Sequence, residues 1–269
     1  MSEGSKLRLS ARMQHIADLA SASGTVADIG TDHGYIPVWL LLNSQCRHAI
    51  MSDINKGPLK KAAENAALYL SGDFSPDLRL GGGMEVLETG EADTVIIAGM
   101  GGLLIKEILE KDMKKTLSVS RFILQPRNNS SELRKFIRSS MEGFKIIHEA
   151  VVAEGPKYSE IILAVNTLTY PADQIPSEDL EKCDQIRARL NIPLEFADEF
   201  PVLYLLHRSE TVMDYLKKRL ASEEAVAASI RSRGRGGQSN EKKLEETEFK
   251  ILNLKKMTEV KADEIISDH

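Results

Sequence analysis

The run Val26-Ala27-Asp28-Ile29-Gly30-Thr31-Asp32-His33-Gly34-Tyr35 constrains this chain more than any other segment. An apolar strand leads without a spacer into a turn bracketed by two glycines, and a helix start follows. Strand, glycine turn and helix in that order are the opening unit of an open α/β sheet, whose ligands bind outside the carboxyl ends of the strands. Downstream, short β-branched runs alternate with helix-like stretches, as parallel sheets with helices on their faces require. Strands are expected at 25–29, 48–52, 78–80, 94–98, 121–124, 145–153 and 160–165, with helical periodicity at 59–70 and 103–109. The last two strands are joined only by Glu154-Gly155-Pro156-Lys157, which predicts an antiparallel hairpin at a sheet edge.

The glycines have a physical task. Gly30 and Gly34 let the backbone pass close to a ligand and adopt the dihedrals of a tight strand-to-helix turn. Their GxxxG spacing is not the GxGxxG that seats a dinucleotide pyrophosphate on a helix N-terminus, which disfavours nicotinamide and flavin cofactors. Asp53 ends the second strand about twenty residues past the turn, where a carboxylate accepts both ribose hydroxyls of an adenosine-containing ligand. With no phosphate cradle upstream, the choice among such ligands tilts to S-adenosylmethionine. Asp28 suits the ligand's ammonium through a charge-assisted contact. Thr31 in the turn and Ile54 beside Asp53 belong to the expected pocket, and Gly82, Gly83 and Met84 after the third strand supply backbone amides and an apolar face at the adenine edge. Ala98, Gly99 and Met100 follow the fourth strand, where methyl donor and target should meet. Asp53 as a helix N-cap, and Leu80–Met84 as a plain loop, remain the structural alternatives.

The runs Asp28-Ile29-Gly30-Thr31-Asp32-His33-Gly34-Tyr35, Ala98-Gly99-Met100-Gly101-Gly102 and Gln125-Pro126 together resemble the bacterial tRNA (adenine-22)-N1-methyltransferase family, over roughly residues 9 to 165. The resemblance implies a Rossmann-like, seven-stranded class I methyltransferase fold, S-adenosylmethionine as donor, and tRNA as partner, methylated at N1 of an adenine in the D-arm region. Many amino-methylating relatives carry Asn/Asp-Pro-Pro-aromatic after the fourth strand. Here that place reads Ala98-Gly99-Met100-Gly101, and Gln125-Pro126-Arg127-Asn128 also lacks the aromatic, leaving Tyr35 and Tyr158 as candidates to stack on the base.

Adenine N1 has an unprotonated in-plane lone pair near neutral pH, so its attack on a sulfonium methyl needs positioning more than a strong base. Asp32 is the expected catalytic residue, accepting from the exocyclic amine and stabilising positive charge on the ring; a cap for the next helix is its structural alternative. Gln125 is expected to orient the base. His33 reads as a structural hydrogen-bonding residue, and Arg12 and Arg127 as phosphate contacts.

Residues 1–169 form the expected cofactor-binding domain and 170–269 a helical arm. Apolar positions Val212, Tyr215, Leu216, Leu220, Val226 and Ile230 recur at helical spacing, Gly234-Arg235-Gly236-Gly237 breaks it, and Leu244, Ile251, Leu254 and Met257 resume it, as in an antiparallel coiled-coil hairpin. Net charge is −5, which taken alone argues against nucleic acid, but residues 205–261 hold 13 Lys or Arg against 9 Asp or Glu. The arm therefore suits either RNA or a structural or dimerising role, and the oligomeric state stays open. Cys46 and Cys183 stand far apart, with no metal-ligand spacing. No apolar run reaches a membrane span, so the chain reads as soluble and cytoplasmic.

Overall fold

The computed structural model describes residues 7–70, 76–232, 238–261 and 265. The chain divides into two compact units, Met1–Ile175 and Pro176–His269. The first is built on seven strands: β1 (Ser23–Ile29), β2 (Cys46–Asp53), β3 (Asp77–Leu80), β4 (Thr94–Met100), β5 (Arg121–Pro126), β6 (Phe144–Glu154) and β7 (Lys157–Asn166). Every expected strand falls within one of them. Their order is β3-β2-β1-β4-β5-β7-β6, parallel from β3 to β5, with β7 antiparallel to both β5 and β6. This is the class I methyltransferase sheet, with the predicted hairpin at its edge.

Continuous apolar runs rather than alternation follow from burial on both faces. Val26 and Ala27 on β1, Val95, Ile96 and Ile97 on β4, and Phe122, Ile123 and Leu124 on β5 are fully buried. The helices α1 (Ala11–Ala20), α2 (Tyr35–Leu42), α3 (Lys56–Tyr69), α4 (Gly102–Lys111), α5 (Met113–Ser118) and α6 (Ser130–Ser140) accompany the sheet. Ser10 caps α1 by accepting the Met13 N–H, and Ile16, Ala17 and Ala20 form its buried stripe. An ion triad ties α6 to the hairpin: buried Arg134 donates from Nε to buried Glu149 at 2.6 Å and from Nη2 to the partly buried Glu160 at 2.5 Å.

Two details of register position the site. Leu124 of β5 faces Ile162 of β7, so the first residues of β7 run past the carboxyl end of β5. The Gly155-Pro156 tip of the β6–β7 hairpin therefore stands at the same end of the sheet as the turns after β1, β2 and β4. The pairing of β4 with β5 also slips between Ala98 and Met100, a bulge at Gly99, whose φ is +76°.

The second unit contains α7 (Ser177–Arg189), α8 (Leu194–Glu199), α9 (Leu203–Leu206), α10 (Glu210–Ser232) and α11 (Gln238–Glu259). Arg231 pairs with Glu248 and Lys255 with Glu224, so α10 and α11 run antiparallel. Phe196 and Phe200 of this unit pack with Phe249 and Tyr215. Residues 233–237, holding the glycines expected at the tip, lie outside the described residues. Much of the arm's positive charge is internally paired: Lys218 faces Asp214, Arg219 and Lys250 face Glu199, and Arg231 and Lys255 are matched as above.

Candidate active site

The turn after β1 is fastened to β2 by its own backbone: the N–H groups of Gly30 and Thr31 both donate to the Ser52 carbonyl, at 2.8 and 2.7 Å. Gly30 has φ +76°, and a Cβ there would collide with the Met100 methyl. At Gly34, with φ +67°, a Cβ would lie 2.9 Å from Ala62 Cβ and 3.0 Å from Met51 Sδ. These glycines thus serve the protein's own packing as well as the turn. Gly34 is the N-cap of α2, so Asp32 does not cap that helix. Its side chain is 80% exposed instead, with Oδ1 3.1 Å from His33 Nε2.

His33 is more than a bystander. It holds a left-handed φ of +67°, costly for a residue with a Cβ, and the surroundings fix it from several sides. Asn65 donates to its carbonyl at 2.8 Å, its ring stacks on Tyr35 at 5.5 Å, and Lys61 Nζ lies 3.3 Å from Nε2. One ring nitrogen cannot both donate to Asp32 and accept from Lys61, so the tautomer selects between them. Lys61 and Asn65 were missed in the sequence; their spacing of four on α3, flanking the Ala62 that meets Gly34, is the signal that could have found them.

Asp28 is 7% exposed and accepts the Thr31 hydroxyl at 2.6 Å. Burial pushes its carboxyl up to about 6; Thr31 opposes this, and the nearby Asp32 and Asp53 carboxylates add to it. Asp53 closes β2 and accepts the Asn55 N–H at 2.7 Å; the N-cap of α3 is Asn55, so Asp53 does not cap it. Ile54 is 69% exposed, and its Cγ2 occupies the place a Cβ on Gly82 would take. The Gly82–Met84 loop is braced by Glu85, which accepts the Gly82 N–H, and by Arg79, which spans Asp77, Glu91 and the Val86 carbonyl. Met84, 1% exposed, points into the core, leaving only its backbone to line a site; the apolar face at this edge belongs to Ile54.

At the end of β4, the sequences Ala98-Gly99-Met100-Gly101-Gly102 and Gln125-Pro126-Arg127-Asn128 interlock. Gly102 donates to the Asn128 carbonyl at 2.9 Å and Arg127 to that of Met100 at 2.8 Å, while any Cβ at Gly102 would clash with the Asn128 and Asn129 carbonyls. Gly99 is different: the atom nearest its Cβ direction is an Arg127 guanidinium nitrogen 3.6 Å away, an ordinary contact with the end of a flexible side chain, so its φ of +76° rather than crowding calls for glycine. Gln125 is 4% exposed. Its Oε1 accepts from Gly99 N–H and Arg12 Nη1, both at 3.1 Å, and its Nε2 donates to the Pro126 carbonyl. Its influence runs through those partners rather than through an exposed amide. Arg12 is likewise turned to Gln125 and Glu154, whereas Arg127 is exposed. Tyr158 stands near the hairpin tip opposite Ala153.

The structure thus gathers Asp28, Gly30, Thr31, Asp32, Asp53, Ile54, Gly82 and Gly99 along the carboxyl ends of β1, β2, β3 and β4, with Gln125 behind them. Among the described residues, no group of three or more His, Cys, Asp or Glu could hold a metal, and no helix is long and apolar enough to cross a membrane.

Residues 9–162 match the family model of the methyltransferase domain. The chain is 36% identical over 162 residues to the tRNA (adenine(22)-N(1))-methyltransferase of Bacillus subtilis, covering 59% of this chain and 66% of that protein. The crystal structure of the B. subtilis m1A22 tRNA methyltransferase superposes with a TM-score of 0.74 at 27% identity, covering 94% of this chain and 100% of that one. A putative tRNA (m1A22) methyltransferase of Streptococcus pneumoniae, solved in complex with S-adenosyl-L-methionine, shares the fold at 24% identity and a TM-score of 0.71, covering 93% of this chain and 100% of that one. The chain belongs to the tRNA (adenine-22)-N1-methyltransferase family of class I S-adenosylmethionine-dependent methyltransferases.

Proposed function

We propose that the chain transfers a methyl group from S-adenosylmethionine to N1 of an adenine in tRNA, at position 22 as in its B. subtilis relative, and does so in the cytoplasm, where tRNA works. The observation that carries this is the convergence at the strand ends of a buried carboxylate, Asp28, an edge carboxylate, Asp53, an exposed apolar Ile54, and a bulged Gly99. The donor set fits the cofactor: Asp53 for the ribose hydroxyls, Ile54 and the Gly82–Met84 backbone for the adenine, Asp28 with Thr31 and Gly30 for the amino-acid end, and Ala98, Gly99 and Met100 beside the reacting centre.

When bound, S-adenosylmethionine supplies an electrophilic sulfonium methyl, whose C–S electron pair leaves on sulfur as adenine N1 attacks. The chain's own residues position the base. Asp32, exposed beside Asp28 and restrained by His33, accepts from the base's exocyclic amine and stabilises the positive charge that forms on the ring. The His33–Tyr35 stack supplies an aromatic pair in the same turn, a candidate to stack on the base in place of the aromatic that many amino-methylating enzymes carry after the fourth strand. N1 lies on the Watson–Crick edge, so a paired adenine must first be unpaired or flipped. Exposed Arg127 and unpaired arm cations, Lys217 and Lys243 among the described residues, suit the tRNA backbone.

The test is methyl transfer to unmodified tRNA, then nucleoside analysis. 1-Methyladenosine supports the proposal; a different methylated nucleoside, or transfer only to protein or small molecules, overturns it.

A further inference from the structure

We propose that Arg12 is a positioning residue for methyl transfer, acting through Gln125 to fix the Gly99 N–H and the bulged end of β4, and not a phosphate contact. The inference rests on the functional reading above, which places Gly99 where methyl donor and base meet.

A bulged residue loses its ladder partner, and its N–H needs another acceptor. At Gly99 that acceptor is Gln125 Oε1, at 3.1 Å. The same oxygen accepts from Arg12 Nη1 at 3.1 Å, while Gln125 Nε2 donates to the Pro126 carbonyl at 3.1 Å. Turning the amide over would set its NH₂ against two donors and its oxygen against a carbonyl. The Arg12 guanidinium therefore helps decide which atom faces Gly99. With that N–H pinned, the trans Ala98–Gly99 peptide is fixed as a plane, its carbonyl on the side opposite Gln125.

Arg12 is itself held. Its backbone N–H donates to Glu154 Oε1 at 3.2 Å, and its Nε lies 3.5 Å from Glu154 Oε2. The Ser10 hydroxyl, first, and then Arg12 hold the Glu154 carboxyl below the usual carboxylate range. Glu154 ends β6, opposite Lys157 at the hairpin tip. One buried amide thereby joins the start of α1, the ends of β4 and β5, and the edge hairpin. A guanidinium engaged this way has a reason to be arginine that owes nothing to RNA.

The experiment uses ¹⁵N-labelled full-length protein and steady-state kinetics on Arg12→Met, Gln125→Leu and the double variant. In Arg12→Met, Gly99 amide exchange should speed up by about tenfold or more, as loss of a charge-assisted bond implies. Its kcat should fall by about tenfold, with KM for tRNA and cofactor Kd within about twofold. The double variant should be no worse than Gln125→Leu alone, because Arg12 acts through Gln125. Unchanged Gly99 exchange in Arg12→Met overturns the proposal, even if Gln125→Leu fails to fold. So does a raised KM for tRNA with a shallower salt dependence and unchanged kcat, the signature of a phosphate contact. Wild-type protein that leaves tRNA unmethylated would defeat the functional reading instead, and Gly99 exchange would still decide the brace.

Discussion

Asp28 offers the sharpest quantitative expectation, because burial and function pull its ionisation in opposite directions. Its carboxyl is raised from 3.8 to about 6, chiefly by desolvation, yet the cofactor's ammonium calls for the anion. If only the anion binds, about nine-tenths of the ligand-free protein is competent at pH 7 and about one-tenth at pH 5. Cofactor affinity should fall about tenfold between them, or about 1.4 kcal/mol. Asp28→Asn keeps an oxygen for the Thr31 hydroxyl, so it should bind more weakly at pH 7 and lose most of the pH dependence. Calorimetric titration of both proteins at pH 5, 6 and 7 reads this directly. The linked stability effect has a definite sign. Because the folded-state value lies above the unfolded one, ligand-free protein loses stability as pH rises from about 4 through about 6, by at most about 3 kcal/mol. Asp28→Asn should therefore melt higher than wild type at pH 7, with the advantage gone near pH 4. Affinity of the wild type that stays flat from pH 7 to 5, or an Asn variant that retains the slope, would refute the assignment.

Asp53→Ala should weaken cofactor binding by more than about tenfold, on the order of 1.4 kcal/mol, by calorimetry; an unchanged Kd removes the ribose role. Asp32→Ala should nearly abolish single-turnover methyl transfer while cofactor Kd stays within about twofold, because its carboxylate faces outward beside the turn; near-wild-type turnover takes it out of the mechanism. Lys217→Glu with Lys243→Glu should weaken tRNA binding and flatten its salt dependence by about one unit of slope per lost contact, with cofactor affinity untouched; identical salt profiles would return the arm to a structural role.

The sheet was legible because its signals are local. Apolar runs such as Val95-Ile96-Ile97 are long enough to be strands buried on both faces, and Gly155-Pro156 leaves no room for a crossover. The turn after β1 was legible for the same reason, as glycine spacing is a backbone property. What could not be read was which side chains face one another once distant strands align. Gln125 and Gly99 become partners only through the slipped register of β4 on β5. Arg12 reaches them only because the hairpin overshoots β5 and brings Glu154 beside α1. Met84 stands in the loop after β3, yet the short turn it begins carries its side chain into the core and leaves its backbone at the strand end. Lys61 and Asn65 join the site only because the turn at Gly34 packs against α3.

The proposed activity is read by incubating the purified chain with labelled S-adenosylmethionine and unmodified tRNA transcripts, then digesting the tRNA and identifying the labelled nucleoside by mass spectrometry. The expected product is 1-methyladenosine, lost when adenine 22 is replaced by another base. Label on a different nucleoside, or persisting as 1-methyladenosine after that replacement, would contradict it.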